Sequence, residues 1–407
     1  MKTMPVLALS WKNVWRNPLR SSVVIISVVL GVWAALFTAA FMNGMIVQYM
    51  DVQLANITSH IQIHTDAYDE ERTPAEVIPD PDEILNIVRS DAGVRFAVGR
   101  AVVDGLVSSS AGSFGVTAKG IDFENEPNVT NLHEYIREGE YLSESGRNPI
   151  LIGSKLAKRL QLQMGSRVVL NVQDVEGTLT AGAFRVAGIF HSPDTRVNEG
   201  MVFLRQRDLG NLIQNQGAIH EIAIIVDDYK LADRYAARLD SVLDMSVKSW
   251  GDISPALRYT DSVTGITLYI FMVIIVIALM FGIVNTMLMA VLERTPELGM
   301  LMAVGLSRGK AFQMIMYETI LLTLVGAPFG ILLSALTVHY TATSGIDLSA
   351  FAQGFELYGM SYMIYPVLGV EQYISNALII AFAAVVAAIL PSWKALRLNP
   401  VEAIRKR

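Results

Sequence analysis

Four stretches of this chain, residues 23–42, 266–292, 319–338 and 373–393, run for twenty residues or more without one charged side chain. A hydrocarbon core is crossed by roughly 17–25 apolar residues in a helix, so each stretch is long enough to span a membrane. Backbone groups in lipid must be bonded internally, which makes helices the expected form. The fourth stretch is the least apolar, diluted by Asn376 and the alanines of 381–388. With 52% hydrophobic residues and a mean hydropathy of +0.41 over 407 residues, the chain is too apolar for an ordinary soluble domain. It is also too polar to lie in lipid throughout, and a mixed protein is expected.

Charge sets the orientation. Lys2, Lys12, Arg16 and Arg20 precede the first stretch with no acid among them. Arg294, Arg308 and Lys310 lie between the second and third, and Lys394, Arg397, Arg405, Lys406 and Arg407 follow the fourth. Residues 341–372 hold Asp347, Glu356 and Glu371 but no Lys or Arg. By the positive-inside rule both termini and the middle loop face the cytoplasm. Residues 43–265 then form a 223-residue insertion on the far side, acidic at 20 Lys+Arg against 31 Asp+Glu. The first stretch is longer than a signal-peptide core and is read as an uncleaved anchor. The expected segments are a cytoplasmic amphipathic segment (1–20), membrane helices (21–44, 266–292, 314–340, 373–393), the outer domain (45–265), a cytoplasmic loop (293–313), an outer loop (341–372) and a cytoplasmic tail (394–407).

The insertion reads as α+β. Strands are expected at 59–65, 97–109, 115–120, 150–152, 167–172, 184–190 and 222–226, with helices at 81–90, 154–160, 205–213 and 230–243. Two lobes fit this mixture, and the acid- and proline-rich 66–82 reads as an exposed loop.

Candidate chemistry is sparse. Gly305–Ala311 (GLSRGKA) is one residue short of a P-loop and ends in Ala where a Mg²⁺-binding hydroxyl belongs, so ATP, if used, is bound by another chain. There is no cysteine, and His60 and His64 are not completed into a metal shell. No catalytic motif is present. The expectation is a non-enzymatic protein with no cofactor or metal of its own and no nucleic-acid partner. Leu7, Trp11, Val14 and Trp15 form a stripe for a helix lying on the cytoplasmic leaflet, bent by Pro18 into the first span. Glu318, at the start of the third span, could meet headgroups, Arg308 or Lys310.

Several strings resemble a known group. Glu293–Gly305 (ERTPELGMLMAVG), Pro391–Arg405 (PSWKALRLNPVEAIR) and Ser10–Ser22 (SWKNVWRNPLRSS) are similar to segments of the MacB/FtsX/LolC/LolE superfamily of ABC permeases. FMNGM at 41–45, SHIQIH at 59–64, ILIGSKLAKRLQLQMGSRVVL at 150–170 and VKSWGDISPAL at 247–257 resemble its lipoprotein-releasing branch. MacB itself carries a fused ATPase, whereas this chain begins at its membrane helix. The resemblance implies a four-helix membrane domain with a periplasmic domain of the MacB core type, in the bacterial inner membrane. It implies a second permease subunit (homodimer or LolC/LolE-like heterodimer), two separate ATPase subunits supplying ATP and Mg²⁺, contact with membrane lipids, and a periplasmic carrier or adaptor. The implied work is mechanotransmission: ATP-driven closure in the cytoplasm is passed through the helices to extract and release lipoproteins. The 27-residue second stretch is long enough to act as a stalk. Export of another amphiphile and FtsX-like signalling to an external hydrolase are the alternatives.

On this resemblance the ATPase-coupling residues are Glu293, Arg294, Thr295, Pro296, Glu297, Leu298, Gly299, Leu301, Met302 and Gly305. Thr295 would be the N-cap of a short helix with Pro296 in its first turn, and Leu298, Leu301 and Met302 would form the face seated in the ATPase. An apolar substrate surface is expected at Phe41, Met42, Met45 and Val47, opposite Ile270 and Phe271.

Overall fold

The computed structural model describes residues 4–16 and 18–396. Expectations for Lys2 and for Arg397, Arg405, Lys406 and Arg407 lie outside the described residues. Among the described residues four helices are long and apolar enough to cross a membrane: Ser21–Asn56, Pro255–Glu293, Arg308–Ser344 and Val370–Lys394, here spans 1 to 4. Spans 1 to 3 outrun their apolar stretches. Extending an existing helix is cheap beside nucleating one, so hydropathy marks the lipid-compatible part rather than the helix ends.

The chain divides into two compact units. The membrane unit comprises residues up to Ile46, Val263–Asp347 and those from Met363 on; the outer unit comprises Val47–Ser262 and Leu348–Tyr362. Half of the loop expected between spans 3 and 4 therefore belongs to the outer unit. There Thr195 Oγ1 donates to the Glu356 carbonyl at 3.0 Å, and Gln53 Nε2 donates to Asp194 Oδ2 at 3.1 Å.

In the membrane unit all four spans share one core, with Val28, Val32 and Leu36 of span 1, Ile283 and Met287 of span 2, Leu322 of span 3 and Ala384 of span 4. Small residues permit the close approach that substitutes for a hydrophobic drive in lipid. A Cβ added at Gly330 would stand 2.7 Å from the Val32 Cβ. The N-terminal helix Met4–Arg16 packs on the start of span 3, where Ser10 Oγ donates to the Met314 carbonyl at 3.1 Å. Its expected stripe splits: Val14 is fully buried, whereas Leu7, Trp11 and Trp15 remain exposed. The protein core takes the valine and leaves both tryptophans on the surface.

The outer unit carries ten strands: β1 (Ile61–His64), β2 (Val94–Ser109), β3 (Gly112–Ile121), β4 (Ile136–Gly139), β5 (Pro149–Gly153), β6 (Arg167–Gln173), β7 (Leu179–Phe190), β8 (Met201–Arg205), β9 (Glu221–Val226) and β10 (Ser246–Ser249). The 16-residue β2 organises them. Its first part pairs with β9, which continues to β1 and β10. Its second part pairs with β3 and β6, and the pairs β3–β8, β8–β5, β5–β7 and β7–β6 close a six-stranded ring. That ring encloses an apolar core including Val103, Ile150, Leu170, Phe184 and Leu204. Two β substructures thus share one long strand.

The stretch expected as a loop at 66–82 contains the helix Asp66–Glu71. Thr65 caps it by accepting from the Tyr68 amide at 3.2 Å, and Asp66 and Asp69 lie at its positive end. Tyr68 anchors it at 4% exposure. The strands β4, β8 and β10 and the helix Thr195–Gly200 were not marked by periodicity. Arg205, expected to open a helix, closes β8 instead.

Candidate coupling site and substrate surface

Between spans 2 and 3 the chain forms the helix Thr295–Ala303 and turns at Gly305, whose φ of +112° suits glycine. Arg294 rather than Thr295 is the N-cap residue. The Thr295 hydroxyl donates back to the Val291 carbonyl at 3.2 Å, because span 2 ends only at Glu293 and offers a nearer acceptor than the new helix needs. Pro296 stands exposed in the first turn, where its missing N–H costs no bond.

The charges converge on Arg294. Its Nη1 meets Glu318 Oε1 at 2.7 Å and Oε2 at 3.0 Å, and Nη2 donates to the Asn13 carbonyl at 3.3 Å. Both side chains are 10% exposed. Glu297, half exposed, forms an ion pair with Arg16 and lies 4.0 Å from Arg294 Nε. This cluster joins the N-terminal helix, the end of span 2 and the start of span 3. Glu318 thus has Arg294 as a partner, a pairing that spacing alone did not suggest.

The apolar face is also turned from its expected direction. Leu298 is 3% exposed within the core of the four spans, Gly299 is buried, and Met302 packs against that core. What faces outward is Met300 at 60%, Leu301 at 40% and Val304 at 84%, with Glu293 and Pro296 also exposed. Met287, Val291 and Leu298 follow one another at helical spacing, so the inner stripe of span 2 continues through the turn and claims Leu298. Met300 and Val304 were missed. Their spacing of four carried the signal, but a short helix rich in apolar residues on all sides does not announce which side is covered.

Of the substrate residues, Phe41, Met42 and Met45 are half-buried past the midpoint of span 1 in the membrane unit, and Val47 is half-buried in the outer unit. Ile270 and Phe271 are exposed on span 2, at 55% and 45%. Midway along its length span 1 is pinned to the segment before span 4: the Val367 amide donates to the Ala40 carbonyl and Asn43 Nδ2 to the Val367 carbonyl, both at 3.0 Å. His60 and His64 are spent on internal bonds. The Val226 amide donates to His60 Nδ1 at 3.1 Å, and His64 Nδ1 meets the His220 carbonyl at 2.8 Å.

Comparison with known proteins supplies the family. Residues 21–242 match the MacB-like periplasmic core domain, and residues 269–400 match the FtsX-like permease C-terminal domain. The lipoprotein-releasing system transmembrane protein LolC of Xylella fastidiosa (strain Temecula1 / ATCC 700964) is 21% identical over 405 residues, covering 94% of this chain and 92% of LolC. The macrolide export ATP-binding/permease protein MacB of Photorhabdus laumondii is 30% identical over 217 residues, 50% of this chain and 30% of MacB. The crystal structure of the periplasmic region of MacB from Actinobacillus actinomycetemcomitans aligns with a TM-score of 0.36 at 14% identity, over 50% of this chain and 95% of that one. With more than half of its length matched by the periplasmic core domain and most of the remainder by the permease domain, this chain belongs to the MacB/FtsX superfamily of ABC transporter permeases.

Proposed function

We propose that this permease releases lipoproteins from the inner membrane, converting ATP hydrolysis by a separate ATPase into movement of its outer domain. The observation that carries the reading is the similarity to LolC along nearly the whole of both chains. Its termini and the loop 293–313 face the cytoplasm, as the basic residues there favour. The ATPase docks on the exposed side of the helix Thr295–Ala303, with Met300, Leu301 and Val304 as the apolar contact and Glu293 beside it. The inward residues Leu298 and Arg294 couple that helix to spans 2 and 3 and to the N-terminal helix, so a push on one moves all. A second permease subunit is supported by Asn285, an exposed amide on span 2 that lacks a hydrogen-bond partner among the described residues and needs one in lipid. Phe41, Met42 and Met45 of span 1 and Ile270 and Phe271 of span 2, all in the membrane unit, receive the lipid anchor.

Depletion of the protein in its own host tests this. Lipoproteins destined for the outer membrane should accumulate in the inner membrane, and Val304→Arg should fail to rescue while still inserting. Normal lipoprotein distribution on depletion refutes the substrate assignment. The similarity to MacB favours a second reading, export of another amphiphile, which the same depletion would reveal as sensitivity to amphiphilic drugs with lipoproteins correctly placed.

A further inference from the structure

A cavity of about 260 Å³ opens in the outer unit where β1 and β9 meet β3 and β8, walled on one side by the helix Asp66–Glu71. Its floor is charged. Arg100 on β2 grips both oxygens of Glu126, at 2.6 and 3.2 Å, and donates to Glu221 Oε1 at 2.7 Å. Lys119 on β3 approaches that same Glu221 oxygen at 3.4 Å. The Arg100 and Lys119 charges outweigh burial and hold the Glu221 carboxyl down to about 2, while burial pushes the Lys119 ammonium below its usual range.

The bonding is uneven. Arg100 is fully engaged by two carboxylates, and Asp69, also on the cavity wall, is taken by Lys248 at 2.8 Å and by Ser246. Lys119 has three N–H donors and one long contact, on a side chain only 7% exposed. An ammonium out of water with its donors unmet is costly, and here they border a space large enough to hold an acceptor. Arg72, the left-handed residue ending the neighbouring helix, lines the same space with no ion pair of its own among the described residues. The charged side chains on the wall, Asp69, Arg72, Lys119 and Glu221, sum to zero, but Arg100 and Lys248 from behind the wall occupy the two carboxylates and leave Arg72 and Lys119 facing the space. Val102, Met201 and Ile253 supply apolar wall. The volume exceeds what a lone inorganic ion would fill and suits a small organic molecule.

We infer that this cavity binds a small organic carboxylate, its oxygens held by Lys119 and Arg72 and its carbon skeleton against Met201 and Ile253. Lys119 stands on the closed ring and Arg72 follows β1 of the open sheet, so the ligand bridges the two β substructures of the outer unit. Nothing in this depends on which cargo the permease releases.

The test uses the full-length protein in detergent, titrated calorimetrically with succinate, N-acetyl-alanyl-alanine, the amide of that dipeptide, and inorganic phosphate. At least one carboxylate should bind at millimolar concentration or below, and the amide should not. Succinate binding alone indicates a free organic acid, and dipeptide binding alone a peptide end. Lys119→Met and Arg72→Ala should each weaken binding about tenfold or more, the loss expected for a hydrogen bond to a charged group. Arg72 is exposed, so its variant folds even if Lys119→Met does not, and it decides the matter alone. Binding of no carboxylate, phosphate binding as tightly as the carboxylates, or unchanged affinity in Arg72→Ala overturns the assignment.

Discussion

Replacing Glu318 by Gln tests whether the cytoplasmic end of the membrane unit is held by its ion pair. The change keeps shape and removes the charge that faces Arg294 at 2.7 and 3.0 Å. Breaking a buried pair from one side costs about 3–5 kcal/mol, because the other charge stays buried without a counterion. Arg294 keeps its bond to the Asn13 carbonyl, and Glu297 remains 4.0 Å away, so the lower end, about 3 kcal/mol, is expected. Removing both charges with Arg294→Met and Glu318→Leu should return stability to within about 1 kcal/mol of the parent, since packing replaces a pair that had to be desolvated. Reversible unfolding in SDS, followed by tryptophan fluorescence on the parent, Arg294→Met, Glu318→Leu and the double variant, gives the coupling energy directly, with Glu318→Gln measured beside them. A Glu318→Gln protein within about 0.5 kcal/mol of the parent, or a double variant as weak as the sum of the singles, refutes the reasoning.

Further outcomes follow from the same geometry. Leu298→Ala should destabilise the membrane unit by about 3 kcal/mol, the cost of emptying a core leucine site, whereas Val304→Arg should leave unfolding unchanged and lower only ATPase association in pull-downs. Gly330→Leu should prevent stable insertion, read as rapid proteolysis of the membrane unit, because even a Cβ at that position meets Val32 at 2.7 Å. The Glu221 carboxyl is held at about 2 against an ordinary 4.5, so its contribution is complete above pH 4.5 and is lost as pH falls towards 2. Thermal unfolding followed by the fluorescence of Trp250 in the outer unit should show that acid loss, and a midpoint flat over this range would contradict it. A protease outside intact spheroplasts should cut near Glu70–Arg72 and spare Arg294, and the reverse pattern would invert the proposed topology.

The membrane half of this protein was legible because lipid imposes a one-dimensional rule. A charge-free run of the right length is a span whatever it later packs on, and the basic residues beside it bias its direction. The family was legible for a similar reason, since strings such as ERTPELGMLMAVG and PSWKALRLNPVEAIR are contiguous. Alternation revealed the core strands β2, β3, β6 and β7, each long enough to show a period.

Tertiary structure decided the rest. Helix Thr295–Ala303 is apolar on more than one side, and only the position of the core selects Leu298 for burial and leaves Met300 and Val304 outside. Arg294 and Glu318 are 24 residues apart, and Lys119 and Glu221 are 102 apart, so no local pattern couples either pair. Strands β4, β8 and β10 carry no clear alternation of apolar and polar residues and exist because a neighbour accepts their hydrogen bonds. Sequence sets each residue's preference for lipid, water or core, a property of the residue and its near neighbours. Which charges meet, and which of two apolar faces is covered, are set by chain segments that sequence order keeps apart.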